Sequence, residues 1–293
     1  MIDHKGIILA GGLATRLMPI TASISKQLLP IYDKPMIYYS LNILLKSKIR
    51  EIAIITKPKD QEQFYNLLGN GSQFGCQFTY INQSQPKGIA ESYILCEQFI
   101  GKSSSVLILG DNLFYGNEFE QIVIKSLNSK KGATIFGYEV NDPSIYGNIE
   151  INNLNQIVDI IEKPKKPKSS YAVTGLYVLD NTSINKAKKL KPSKRGELEI
   201  TSLLKLYLKE KSLNLKILDR GVAWLDTGTI EAFNDANNFI KTIQKRQGII
   251  VGCLEETAYE NKWINKNQIN KNYRLIKNSE YGKYLKKILN KKN

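Results

Sequence analysis

The sequence predicts an α/β protein with a doubly wound mixed sheet and a helical C-terminal extension. Three observations carry this. Four short apolar runs, Ile7–Ala10, Glu51–Thr56, Phe78–Ile81 and Val106–Leu109, alternate with helical patterns, the signature of a parallel sheet covered on both faces. The second half is richer in strands, at Thr134–Val140, Ile149–Ile151, Ile157–Glu162 and Ala172–Leu179. From Gly248 the chain turns polar and helical, with Tyr281, Tyr284, Leu285, Ile288 and Leu289 spaced as one apolar stripe. That stripe packs on its own domain or faces a second subunit.

The elements follow in order. Ile7–Ala10 runs into Gly11 and Gly12, where no Cβ keeps the backbone from a ligand. Arg16 and Lys26 then supply two cations with no acid beside them in the sequence. Strand, glycines and cations together suit a polyphosphate, although a plain turn uses the same glycines. Neither a Walker loop nor a dinucleotide fingerprint is present. Lys34-Pro35-Met36 reads as a helix start with proline at the first position. A helix is expected at Gln61–Leu68, with Gly69-Asn70-Gly71 turning the chain after it, and another from Gly88 to Phe99. Asn152–Asn155 reads as a hairpin turn, and Pro164–Ser170 as a basic loop. Further helices are expected at Ile184–Lys189, Glu199–Lys209 and Glu231–Gln244, with a strand at Leu213–Leu218. The chain divides at about residue 245, giving a core (a first part to about 130, a second from 131) and an extension over 246–293.

Composition narrows the function. With 42% hydrophobic and 24% charged residues, the chain is an ordinary globular protein. No apolar run approaches a membrane span, and the N-terminus lacks the apolar stretch of a signal peptide. Cys76, Cys96 and Cys253 are far apart, without metal spacing, and read as reduced thiols of a cytoplasmic protein. The net charge of +15 invites a nucleic-acid reading, but 36 of the 42 basic residues are lysine and are spread along the chain. Base and phosphate readout favours arginine, so no nucleic-acid partner is expected. The single histidine, His4, precedes the first strand, which disfavours histidine acid–base chemistry.

Ligands of doubly wound sheets bind beyond the carboxyl ends of the strands. The glycine loop, the Gln83–Gly88 segment and Asp111 all fall at such ends. Asp111 follows one apolar run and Asp226 follows Ala223-Trp224-Leu225. Two converging carboxylates would hold Mg²⁺; each alone could equally cap a following helix.

Gly11, Gly12, Thr15, Arg16, Leu17, Lys26 and Pro30–Pro35 resemble the signature of the sugar-1-phosphate nucleotidylyltransferases. The likeness extends to Gln83, Gly88 and Leu109–Asn112. It continues through Tyr146-Gly147, Glu162-Lys163-Pro164 and Tyr171–Gly175, then Arg195–Thr201, Trp224–Thr229, Arg246–Gly248 and Tyr281–Tyr284. It spans almost the whole chain and is closest to the thymidylyl-transferring branch. Two departures stand out: Ala14 replaces a usual third glycine, and Lys87 replaces a common aspartate. The resemblance implies either a loop that holds Ala14 in a right-handed conformation or one weakened for triphosphate; a positive φ there would strain alanine by about 1 kcal/mol.

The fold it implies is the Rossmann-like nucleotide-diphospho-sugar transferase type. The reaction it implies is dTTP plus α-D-glucose 1-phosphate giving dTDP-glucose and pyrophosphate, with Mg²⁺, as the first step towards dTDP-rhamnose-type deoxysugars. Carried over by position, Arg16, Lys26, Lys163 and Arg195 are catalytic. Leu9, Gly11, Gly12, Thr15, Gln27, Gln83, Gly88 and Asp111, with Arg16 and Lys26, bind nucleotide. Asn112, Tyr146, Gly147, Glu162, Val173 and Trp224, with Lys163 and Arg195, bind the sugar phosphate. Asp111 and Asp226 hold the metal. The family is typically a homotetramer with a dTDP-sugar feedback effector near the C-terminal region.

Overall fold

The computed structural model describes residues 4–116, 118–129 and 131–290. Its strands are β1 (His4–Leu9), β2 (Pro30–Ile31), β3 (Lys34–Pro35), β4 (Glu51–Thr56), β5 (Gln77–Asn82) and β6 (Ser104–Leu109). There follow β7 (Asn112–Gly116), β8 (Ala133–Glu139), β9 (Gly147–Ile151), β10 (Ile157–Glu162), β11 (Tyr171–Leu179), β12 (Leu213–Ile217) and β13 (Val222–Asp226). Among the described residues, nine of these form one sheet, ordered β10-β9-β11-β6-β1-β4-β5, with β8 on β11 and β12 on β8. The four sequence-predicted strands β1, β4, β5 and β6 are parallel neighbours, and β11 joins β6 antiparallel.

Alternation along these strands makes the sheet doubly wound. Ile8, Ile52, Ile54, Val106 and Ile108 pack on one face, against helices Ile37–Lys46, Gln61–Leu68 and Phe119–Leu127. Ile7, Ala53, Ile55 and Leu107 face the other side, against Glu91–Leu95, Thr182–Lys188 and Ile200–Lys209. Both layers are dry, so the strands read as continuous apolar runs.

One edge of β11 is shared. β6 pairs with it over Leu176–Leu179, whereas β9 meets it at Ala172 opposite Asn148. Val173, Thr174 and Gly175 therefore lie between two partners without pairing to either. Two ribbons stand off the sheet: β7 pairs β13, and β2 pairs β3. Ile31, Met36, Tyr39 and Leu113 pack them onto Ala236 and Ile240 of the helix Ile230–Gln247.

The structure corrects two expectations. Pro35 does not open a helix: it sits in β3, and the Met36 amide donates to the Leu29 carbonyl. Buried Lys34 holds that hairpin through Asp33, the Tyr39 hydroxyl at 3.2 Å and Gln244 at 3.1 Å, so the helix begins at Ile37. The helix expected from Gly88 starts at Glu91 and breaks at Cys96 before Glu97–Ile100. Gly88 has φ +105°, and a Cβ there would strike the Leu198 backbone. The Lys87 carbonyl accepts from the Leu198 amide at 2.6 Å, which ties this turn to the neighbouring chain instead.

The C-terminal helices Leu254–Glu260, Lys266–Ile276 and Glu280–Asn290 enclose a small core. Tyr281, Leu285 and Ile288 of the expected stripe pack there with Ile250, Cys253 and Ile269, so the stripe's buried face is turned to its own chain. No helix among the described residues is long and apolar enough to cross a membrane. All three cysteines are buried free thiols, and burial pushes each well above the usual thiol range.

Glu255, 5% exposed, lies in this C-terminal core and accepts from the Tyr281 hydroxyl at 2.6 Å. Burial raises its carboxyl above the ordinary range, although Tyr281 and Asn272 partly offset this. From about pH 4 up to that raised value, the folded state holds a proton the unfolded state has released, so stability falls as pH rises. Glu255→Gln, which stays neutral, removes that loss. Melting temperatures at pH 5 and 7.5 should differ less for the variant than for the parent; equal differences would show that Glu255 ionises normally.

Candidate active site

The site forms where β1 and β6 end. The Gly110 amide donates to the Leu9 carbonyl at 3.0 Å, so the two strand ends meet. Ser40, from the helix Ile37–Lys46, donates to the Leu109 or Asn112 carbonyl, both at 3.1 Å. Beyond Leu9, Gly11 is covered and Gly12 is open, with nothing near the place a Cβ would take. At Gly11 a Cβ would strike the Gln83 carboxamide oxygen. The glycine is needed there because the expected base-reading glutamine lies against it.

Ala14 has φ 50° and ψ 35°, a left-handed conformation. The right-handed alternative is thus excluded, and the residue is strained because an L side chain crowds its carbonyl there. The Leu17 amide at 3.1 Å and the Thr21 hydroxyl at 2.9 Å both donate to the Ala14 carbonyl and hold the turn. Thr15 and Arg16 follow it on the exposed side.

Lys26 is not a bare cation. It is 6% exposed, and its ammonium lies 2.7 Å from Asp111 Oδ2. Burying an ammonium is costly without a counter-charge, and the fold supplies one from 85 residues away. Burial alone would raise the Asp111 carboxyl, yet the Lys26 charge and the hydrogen bonds from Lys26 and Asn112 hold it below the ordinary range. Asp226 ends β13 opposite Asn112 in the ribbon register. Next to it, buried Thr227 donates to the Asp111 carbonyl, through its amide at 3.3 Å and its hydroxyl at 3.1 Å. The two aspartates are therefore neighbours, as their electrostatics confirm: burial and the Asp111 charge both raise the Asp226 carboxyl.

Asn112 joins these parts. Its Oδ1 accepts from Trp224 Nε1 at 2.7 Å and from the Gly175 amide at 3.1 Å, while its Nδ2 donates to Asp111 at 2.9 Å. Trp224 is core, stacked obliquely on Tyr146 with centroids 5.0 Å apart. The Tyr146 hydroxyl reaches Asp226 at 3.2 Å.

The unpaired stretch of β11 opens into a cavity of about 180 Å³. Its lining includes Arg16 from the glycine loop, Asp226 from β13, Gly147, Glu162 and Lys163 from β9 and the end of β10, and Val173 of β11, with Tyr146, Asn112 and Trp224. Glu162 ends β10; burial and the nearby Glu199 raise its carboxyl. Lys163 turns back at φ 41°, its amide donating to the Tyr146 carbonyl at 2.9 Å. Arg195 does not line the cavity. Its guanidinium is held by Glu162 at 3.5 Å, Glu199 at 3.4 Å and Glu197 at 3.1 Å.

Gln83 is 2% exposed and donates to Glu91 at 2.7 Å, and Gln27, 4% exposed, accepts from Ser25 at 2.9 Å. Lys87 points its side chain outward, with its amide on Glu91. Thr201, Gly175, Ile200 and Tyr177 also line the cavity. Sequence reasoning assigns them no role. Thr201 and Gly175 stand inside quoted motif runs, and that was the available signal. Among the described residues, no group of three or more histidine, cysteine or carboxylate side chains gathers as a metal cluster.

Residues 5–243 match the family profile described as nucleotidyl transferase. Curated proteins named glucose-1-phosphate thymidylyltransferase are similar over nearly their whole length. One from Neisseria meningitidis is 48% identical, over 98% of this chain and 100% of its own. One from Xanthomonas campestris is 49% identical, over 97% of each. A crystal structure from Bacillus anthracis with sucrose, provisionally assigned the same name, superposes at TM-score 0.75 and 43% identity, covering 80% of this chain and 94% of that one. A UDP-glucose pyrophosphorylase complexed with UDP-glucose gives 0.74 at 26% identity, over 83% of this chain and 99% of that one.

The strain at Ala14 can be measured. Ala14→Gly should stabilise the protein by about 1 kcal/mol, relief of the left-handed crowding exceeding the entropy that glycine adds to the unfolded chain. Chemical denaturation followed by circular dichroism checks this; a loss of stability would mean the turn carries no strain.

Proposed function

The chain belongs to the nucleotidyl transferase family, and on that premise we propose that it transfers the dTMP moiety of dTTP to α-D-glucose 1-phosphate, giving dTDP-glucose and pyrophosphate. One observation supports this most directly. One cavity is lined by Arg16 and Asp226, from the glycine loop and the end of β13, together with Glu162 and Lys163, from the end of β10. That suits two phosphates meeting between two sets of side chains.

The attacking oxygen belongs to the sugar phosphate and is already ionised, so no general base is needed. It forms a bond to the α-phosphorus in line, the bond to the bridging oxygen breaks, and pyrophosphate leaves with that electron pair. Catalysis is then positioning and charge neutralisation. The Gly11 and Gly12 backbone and Thr15 cradle the triphosphate, and Arg16 offsets charge on the leaving pyrophosphate. Lys26 serves the α-phosphate. Leu9, Gln27, Gln83 and Gly88 form the base side, and Lys163 with Arg195 takes the sugar phosphate. Glu162, Gly147 and the Val173 backbone hold the glucose, alongside Asn112, Tyr146 and Trp224. Arg195 serves once it exchanges its glutamates for phosphate oxygens.

Asp111 and Asp226 fit a divalent cation: the β7–β13 register and the Thr227 tie bring the two carboxylates together, and burial and then the Asp111 charge raise the Asp226 carboxyl. When bound, Mg²⁺ supplies positive charge to phosphoryl oxygens. We read residues 1–245 as the catalytic core and 246–293 as an extension for assembly or regulation, in a cytoplasmic homotetramer. We also propose a dTDP-sugar feedback effector bound near this C-terminal extension.

The test is pyrophosphate release from dTTP and glucose 1-phosphate with Mg²⁺, alongside UTP, CTP and GTP. Fastest turnover with dTTP supports the proposal, and turnover with UTP alone would move the chain towards the UDP-glucose enzymes. A catalytically silent binder would take up dTTP and release nothing. Thymidine and uridine nucleotides differ by a methyl and a hydroxyl, about 1–3 kcal/mol of discrimination. Asp111→Asn should lower kcat by at least about a hundredfold while the circular dichroism spectrum persists; retained turnover would remove Asp111 from the mechanism.

A further inference from the structure

Both carboxylate oxygens of Asp111 are engaged. Oδ2 faces the Lys26 ammonium at 2.7 Å, and Oδ1 accepts from Asn112 at 2.9 Å. The Asn112 amide is itself fixed by Trp224 and Gly175, so the Oδ1 contact does not rotate away freely. Asp226 has one oxygen on the Tyr146 hydroxyl and, among the described residues, no ion pair. Lys26 is thus the buried cation seated on the carboxylate pair, and it occupies one of the two oxygens Asp111 can offer a metal.

A divalent ion and an ammonium compete for that oxygen. Mg²⁺ ligates at about 2.0–2.1 Å, and two cations so close repel strongly in a partly desolvated site. A free metal ion would therefore have to evict Lys26. Its ammonium would be left buried without a counter-charge, which is unfavourable. A metal ion arriving with a triphosphate changes the balance, because the phosphate oxygens offer Lys26 a new anionic partner. The Lys26 backbone stays in its short helical turn Lys26–Leu28, and the four-carbon stem allows the ammonium to swing.

We propose that Lys26 is the resident counter-cation of Asp111 and keeps free divalent ions off it until a triphosphate draws the ammonium away. This rests on reading Asp111 and Asp226 as metal ligands. It makes Lys26 a selector for the metal–triphosphate complex as well as a phosphate contact.

Mn²⁺ alone, titrated into the full chain without nucleotide and followed by electron paramagnetic resonance, tests this. The parent protein should show no tight Mn²⁺ site. Lys26→Met, which keeps the stem and removes the charge, should bind Mn²⁺ at least about tenfold tighter. Adding Asp111→Asn to that variant should abolish the gain. Lys26→Arg, which keeps a cation, should stay as weak as the parent. Equal or weaker binding by Lys26→Met overturns the proposal. So does a saturable site in the parent at low micromolar Mn²⁺, a reading that needs no variant to fold. Pyrophosphate release by the parent is assayed in parallel. Loss of that reaction would defeat the proposed function, whereas the Mn²⁺ comparison judges the role of Lys26 separately.

Discussion

The site depends on one side-chain amide. Asn112 accepts from Trp224 of the β7–β13 ribbon and from the Gly175 backbone of the main sheet, and it donates to Asp111. At 3% exposure it has no water to fall back on, so a lost partner would leave a buried polar group unsatisfied. Sheet, ribbon and carboxylate are thereby fixed relative to one another. Thr227 adds a second tie, from beside Asp226 to the Asp111 carbonyl. Removing either would loosen the spacing between the two carboxylates before it affected the core.

The parallel half of the fold was legible in the sequence because its strands are buried on both faces and its helices carry regular stripes. Glu51–Thr56 and Gln61–Leu68 emerge with the expected bounds. The ribbons were not legible. β7 begins one residue after Asp111, and β2 and β3 have two residues each, too short for periodicity to register. Pro35 and Gly88 misled because local preference favours helix starts, while a buried lysine and a close backbone crossing decide their conformations. Of the site, the residue types and the strand ends could be read. The Lys26–Asp111 pair and the hold of Glu162 on Arg195 could not, since each joins segments far apart in the chain.

The charge of the site is more balanced than that of the molecule. The chain carries +15, yet in its cavity Arg16 and Lys163 are matched by Asp226 and Glu162, and Glu197 and Glu199 hold Arg195 outside it. Two of the four basic residues expected to meet phosphate, Lys26 and Arg195, are held by acids. For these two residues the proposed phosphate contacts would therefore be an exchange of partners rather than attraction to an open basic patch. Such an exchange favours anions that can replace a carboxylate at short range over those drawn in by distant charge.

The gap on the edge of β11 bears on how binding costs are divided. Val173–Gly175 is flanked on the same strand by paired residues, and the cavity it opens takes its shape from the main sheet. The part of its wall carried by β9, β10 and β11 can rearrange only if the sheet itself opens, which would make the proposed sugar site largely pre-organised, with little entropy left to lose. The glycine loop is different: Leu13, Met18 and Ile20 are 59%, 53% and 47% exposed, with few contacts to define their places. Under the proposed function the ordering penalty would thus fall on the nucleotide side, where the larger and more highly charged ligand can best offset it.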